Sequence, residues 1–166
     1  ADSSVAAMTC SGHASAVEPL ALTVAEQAGS VTSMVSFDRG SASSLSRTNG
    51  PAVGGALVTV AGSDMGSFDV SVRARLGESV CRTNTWASDT SVVCGASAGV
   101  SDGLGVQIEG DGIAGNTVTK VFSYDAPTLT AVQPLFTPTT GNTLLYLAGK
   151  DFGTYDSTVS ISVGAT

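Results

Sequence analysis

An all-β chain built from tandem sandwich repeats is predicted by three features of these 166 residues. The first is an internal repeat: Val31 to Ser79 reappears without a gap, 87 positions later, as Val118 to Thr166. Of the 49 paired positions 14 are identical, too many for an ungapped coincidence, so the chain is an array with a unit of about 85 residues. The second is a series of short runs in which apolar and polar residues alternate with period two, with no amphipathic helical stretch between them. The third is composition. Gly is abundant at 20, only 13% of residues are charged, and solubility rests on Ser and Thr, as suits short strands joined by tight turns.

The elements follow in order along the best-defined repeat. Ala56 to Gly62 alternates like a half-buried strand and runs into the turn Gly62-Ser63-Asp64-Met65-Gly66. Val70 to Gly77 alternates more cleanly, with Val70, Val72, Ala74 and Leu76 on one face and Arg73 and Arg75 on the other. Thr90 to Cys94 is a short strand, and Leu104 to Glu109 alternates again before the turn Gly110-Asp111-Gly112. Val118 to Tyr124 closes the unit, and Pro127 breaks the chain before the next one. Six or seven strands in about 80 residues need two facing sheets, a β-sandwich.

The repeat frame divides the chain into three parts: 1–47, the C-terminal half of a repeat; 48–126, a complete repeat; and 127–166, the N-terminal half of another. A sandwich buries its core between two sheets, so neither half is expected to do so alone. Residues 127–166 are therefore expected to be completed by a 1–47 segment, of the next subunit in a head-to-tail polymer or of the next repeat in a longer chain. The apolar residues needing that cover, and hence the expected assembly surface, are Leu145, Leu147, Val159, Ile161 and Val163.

Charge and cysteine usage narrow the setting. A net charge of −7 and a pI near 4.3 are a poor match for nucleic acid, whose phosphates demand Lys and Arg, so no nucleic-acid partner is expected. No apolar run approaches the ~20 residues that span a bilayer, so membrane insertion is not expected either. Cys81 and Cys94, with a turn-rich middle, are compatible with two strands set side by side and bridged; reduced cysteines in a cytosolic core are the other reading. A bridge would remove about 3 kcal/mol of unfolded-chain entropy. Cys10 is the equivalent of Cys94, and the equivalent of Cys81 would fall beyond Thr166. Cys10 is therefore expected to be unpaired within its own half, or paired between subunits.

At this point the residues carry a resemblance. Pro51, Gly54-Gly55, the strand ending Ala61-Gly62 and the turn Met65-Gly66 resemble the opening of an IPT/TIG domain, an immunoglobulin-like sandwich. Gly77, Cys81, Trp86, Cys94 and the closing Val121-Phe122-Ser123-Tyr124 continue the pattern, and Gly149-Lys150-Asp151-Phe152-Gly153 repeats its turn in a more typical form. Met65 replaces the usual Phe, and Asn142 stands where a second Gly is usual. The resemblance implies immunoglobulin-like TIG repeats in tandem, a module found in receptor stalks, arrays of large extracellular proteins, carbohydrate-active enzymes and some transcription factors. Acidic charge and the expected disulfide point away from the nuclear branch, towards an extracellular or cell-surface location.

Candidate chemistry is thin. His13 is the only histidine, which leaves no His-based metal site and no Ser-His-Asp triad with a spare base, so no catalysis, metal or cofactor is expected. Asp102, Glu109 and Asp111 read better as a solvated turn than as a calcium site, since no contiguous loop supplies alternating ligands. Asp64 and Asp69, repeated as Asp151 and Asp156, read as turn-capping carboxylates, and Trp86 as a core plug against the disulfide rather than a sugar platform. No Asn-x-Ser/Thr acceptor exists. The Ser/Thr-rich linkers Leu135–Thr140 and Ser41–Ser44 suit O-linked glycans, with Thr137, Thr139, Thr140, Ser41, Ser43 and Ser44 as acceptors. The expected partners are thus further copies of the chain and covalently attached glycans. The expected function is a structural protein of an extracellular filament or cell-surface appendage; the alternative is a stalk segment of a long adhesion protein or receptor.

Overall fold

The computed structural model describes residues 4–8, 17–69, 72–154 and 159–164; Cys10, His13, Val70, Ser71 and Asp156 lie outside them. Strands β1 (Glu18–Val24) and β2 (Gln27–Val35) form an antiparallel hairpin. A nine-strand unit follows: β3 (Ser41–Leu45), β4 (Asn49–Gly50), β5 (Leu57–Ser63), β6 (Arg73–Leu76), β7 (Ser79–Val80), β8 (Thr83–Ser88), β9 (Ser91–Gly95), β10 (Leu104–Gly110) and β11 (Ile113–Tyr124). The antiparallel pair β12 (Thr128–Gln133) and β13 (Tyr146–Lys150) comes last. The described residues form an immunoglobulin-like all-β fold.

Inside the central unit the strands sort into two sheets, ordered β4-β11-β10-β6-β7 and β3-β5-β9-β8. Alternation decides what lies between them. Val58 and Val60 of β5, Ala74 and Leu76 of β6, Val106 and Ile108 of β10 and Phe122 of β11 all point inward and are buried. Each Val, Leu, Ile or Phe side chain among them, taken out of water, stabilises the sandwich by roughly 1.5–3 kcal/mol. Arg75 lies on the outer face of β6, where its guanidinium meets the Glu109 carboxylate of β10 at 3.0 Å. Glu109 is thus a strand residue held in an ion pair, not part of the solvated turn expected from sequence.

Cys81 and Cys94 are disulfide-bonded, with Cα atoms 5.6 Å apart. Cys94 belongs to β9, while the Cys81 N–H donates to the Ala74 carbonyl of β6 at 3.0 Å. The bridge therefore ties one sheet to the other. Trp86 of β8 is partly buried against the core, and its Nε1–H donates to the Met65 carbonyl at 3.1 Å.

One boundary and one linker need correction. The complete unit begins at Ser41, not at 48, because β3 pairs with β5 from Ser41↔Ser63 to Leu45↔Val60. Ser41-Ala42-Ser43-Ser44 is thus a strand with Ala42 buried in the core, not a linker. Hydroxyl-rich sequence has weak strand propensity, but a neighbour that satisfies its backbone overrides it.

The internal repeat is also visible in the backbone. Gly54, Gly55, Asp64, Gly66 and Gly77 have positive φ, and so do their counterparts Gly141, Asn142, Asp151, Gly153 and Gly164. Asn142 in place of glycine is explained by this: asparagine is among the few side chains that tolerate the left-handed region. In the same frame β12–β13 corresponds to β3–β5, and β1–β2 corresponds to β10–β11. Among the described residues, each flanking pair forms a two-stranded sheet of its own.

Candidate assembly surfaces

The chain reaches the central unit and leaves it at opposite ends. Gly40 arrives beside the β10–β11 turn, so close to Gly115 that a Cβ on Gly115 would sit 1.7 Å from the Gly40 carbonyl oxygen. At the far end of β11, the Asp125 N–H donates to the Gly50 carbonyl at 2.8 Å, and Asn49 Nδ2 donates to the Asp125 carboxylate. A longer contact crosses to the last strand pair, from Ala52 N–H to Asp151 Oδ1 at 3.4 Å. Gly115 and Asp125 bracket most of β11, so these two ends stand about 33 Å apart at a rise of ~3.3 Å per residue.

Beyond each end lies an apolar sheet face that is open to solvent. On β1–β2 the face is made by Leu20, Leu22, Val24 and Val31. On the C-terminal part, Leu129, Leu147, Phe152, Val159 and Ile161 line an open trough of about 410 Å³. The central unit shows what such positions do when covered. Val106 and Ile108 are 0% and 1% exposed, whereas their counterparts Leu20 and Leu22 are 55% and 51% exposed. Ala74 and Leu76 are 0% and 3% exposed, whereas Ile161 and Val163 are 59% and 73% exposed.

Of the five residues expected on the assembly surface, Leu147, Val159 and Ile161 thus share the trough, Leu145 is half-buried beside β13, and Val163 lies exposed at its end. The hairpin residues Leu20 and Leu22 were not singled out from sequence. The offset between repeats changes there, from 87 in the ungapped match to 86 when the turn Ala25-Glu26 is laid on Asp111-Gly112. The backbone supplies the signal: Ala25 and Asp111 both have positive φ.

The family model for the IPT/TIG domain matches residues 41–124 and again 127–166. The chain belongs to the IPT/TIG family. Its first TIG match begins at Ser41, where β3 begins, and ends at Tyr124, where β11 ends. Among solved structures, the chain is similar to the full extracellular region of Plexin A4, domains 1 to 10, at 23% identity and a TM-score of 0.43, over 74% of this chain and 10% of that one. A second structure of the same extracellular region, domains 1 to 8, matches at 21% identity and a TM-score of 0.42, over 59% of this chain and 9% of that one. The chain spans about a tenth of the length of these solved proteins.

The remaining TIG positions are placed as follows. Thr137, Thr139 and Thr140 are exposed around the turn in which the Gly141 N–H donates to the Pro138 carbonyl at 3.0 Å. Ser43 and Ser44 are exposed on β3, and Ser43 Oγ donates to the Ala61 carbonyl at 3.1 Å. Asp64 accepts from Ser63 Oγ at 2.8 Å within its turn. Among the described residues, no cluster of three His, Cys, Asp or Glu side chains is placed to hold a metal, and no helix is long and apolar enough to cross a membrane.

Proposed function

We propose that this chain is a stretch of an extracellular rod, with TIG units strung in line as the stalk of a cell-surface adhesion protein or receptor. One observation carries the reading: the chain joins the complete unit beside Gly115 and leaves it beside Gly50, at opposite ends of β11. Successive units joined this way extend a line with an axial repeat of about 33 Å instead of folding back on one another. The junction is short and tied by Asn49, Gly50 and Asp125, so each unit passes its direction to the next. The Cys81–Cys94 bridge, the acidic balance and the low charge support an oxidising, extracellular setting. O-linked glycans on Thr137, Thr139 and Thr140 would keep such a rod hydrated where charges are few. The function needs no reacting group.

A second reading, a subunit of an extracellular filament, is favoured by the open faces on both flanking strand pairs. Negative-stain micrographs of native material separate the two. Isolated rods with beads about 33 Å apart support the stalk, and long fibres with the same axial repeat support the filament. Compact, unbeaded particles would overturn both.

A further inference from the structure

Two open apolar faces on one chain raise the question of what covers them, and the complete unit answers it. There, β10 lies antiparallel to β6 with Val106 opposite Leu76 and Ile108 opposite Ala74, and the β10–β11 hairpin closes the core over β3 and β5. We propose that the β1–β2 hairpin of one copy docks in the same way on β12–β13 and residues 159–164 of a second copy. Laying Ala25-Glu26 on Asp111-Gly112 sets the register: Leu20 falls opposite Val163, and Leu22 opposite Ile161. This deepens the filament reading and rests on it, while the in-line rod does not depend on it.

Two observations favour a copy of this chain as the occupant. Residues 159–163 pair with no strand among the described residues, so their backbone groups are open to an added strand, and side chains on alternate positions supply specificity. The sizes are reciprocal: Ile161 is larger than its counterpart Ala74, and Val35 on the hairpin is smaller than its counterpart Phe122.

Donor and acceptor lie beyond opposite ends of the central unit, so the contact is heterologous: each docking leaves a free hairpin at one end and a free trough at the other. Copies therefore add in a line without closing.

The test uses the 166-residue chain and two variants. Sedimentation equilibrium should show a mass that climbs from 16.4 kDa with concentration. Leu22→Asp disables the hairpin and keeps the trough; Ile161→Asp does the reverse. Each alone should stay monomeric, and an equimolar mixture should stop at the dimer, since only one competent contact remains. Both substitutions lie outside the complete unit, so its thermal transition serves as the control for folding. A parent chain that stays monomeric at every concentration overturns the proposal. So does a mixture that stays monomeric, or single variants that assemble like the parent, since that would be general stickiness. None of these results bears on the bead spacing in micrographs, which tests the rod separately.

Discussion

Asn116 of β11 grips the backbone of Ala42 on the facing sheet with both ends of its amide. Oδ1 accepts from the Ala42 N–H at 2.8 Å, and Nδ2 donates to the Ala42 carbonyl at 3.1 Å. A side chain thus imitates a strand neighbour at the outer edge of β3, whose other edge pairs with β5. Ala42 itself is buried, so both backbone groups would be costly to leave unmatched. Replacing Asn116 by Ala should lower stability by about 1–3 kcal/mol, measured as a shift in the urea unfolding midpoint. Asn116→Asp is not expected to rescue, because it sets a carboxylate against the Ala42 carbonyl.

The disulfide should be present in non-reduced protein and should link Cys81 to Cys94 only. Replacing both by Ala should cost about 3 kcal/mol through the freed unfolded chain. Peptide mapping with and without reduction checks the linkage, and a free Cys81 in non-reduced material would reject it.

Gly54 and Gly55 are adjacent and share positive φ, yet they should respond differently to substitution. A Cβ at Gly54 would meet Ala98 N at 2.6 Å and the Ser97 carbonyl carbon at 2.7 Å, backbone atoms that cannot step aside. A Cβ at Gly55 meets nothing within 4 Å, and its counterpart in the next repeat is Asn142, also at positive φ. Gly54→Ala should therefore destabilise by several kcal/mol, and Gly55→Asn by less than about 1 kcal/mol. Equal losses at the two positions would contradict this account of the turn.

Tyr124 closes the core edge: its hydroxyl donates to the Ser97 carbonyl at 2.6 Å, and its ring meets Phe122 edge-on at a centroid distance of 5.3 Å. Burial disfavours the phenolate and raises its pKa above the ordinary value of 10.0. With the folded-state pKa raised, the associated stability is fully present below pH 10 and is lost as pH rises from there through the folded pKa. Denaturation midpoints should fall above pH 10 in the parent chain. Tyr124→Phe should flatten that alkaline limb and cost about 1 kcal/mol at neutral pH; an unchanged limb would show that the loss arises elsewhere.

Glycopeptide mass spectrometry of native material should find O-linked sugar on the exposed turn carrying Thr137, Thr139 and Thr140, and little on Ser41, Ser43 and Ser44. The reason is structural: the serines belong to a strand whose backbone is already paired with β5, whereas the threonines surround an exposed surface turn. Bare Thr137–Thr140 peptides throughout would remove the glycan from the functional picture.

Most of the central sandwich was legible because period-two alternation is a local property: β5, β6, β9 and β10 declare themselves in Leu57–Ser63, Arg73–Leu76, Ser91–Gly95 and Leu104–Gly110. β3 was not legible. Ser41–Leu45 has one inward alanine and little strand propensity, and it is a strand because β5 and Asn116 supply its hydrogen bonds from residues far away in sequence. The acceptor face was half legible. Val159, Ile161 and Val163 show their alternation, but Leu129 and Phe152 join them only when the strand pair brings Thr128–Gln133 back against Tyr146–Lys150.

By itself, the sequence determined the class and the repeat length. Those rest on short-range alternation and on self-similarity, and both can be counted along a line. Only the tertiary structure decided that the disulfide joins opposite sheets, that the unit starts at Ser41, and that the chain joins and leaves it at opposite ends. Each of these depends on which distant backbone groups meet. That is settled by hydrogen bonds and burial across the whole sandwich, not by the residues flanking any one strand.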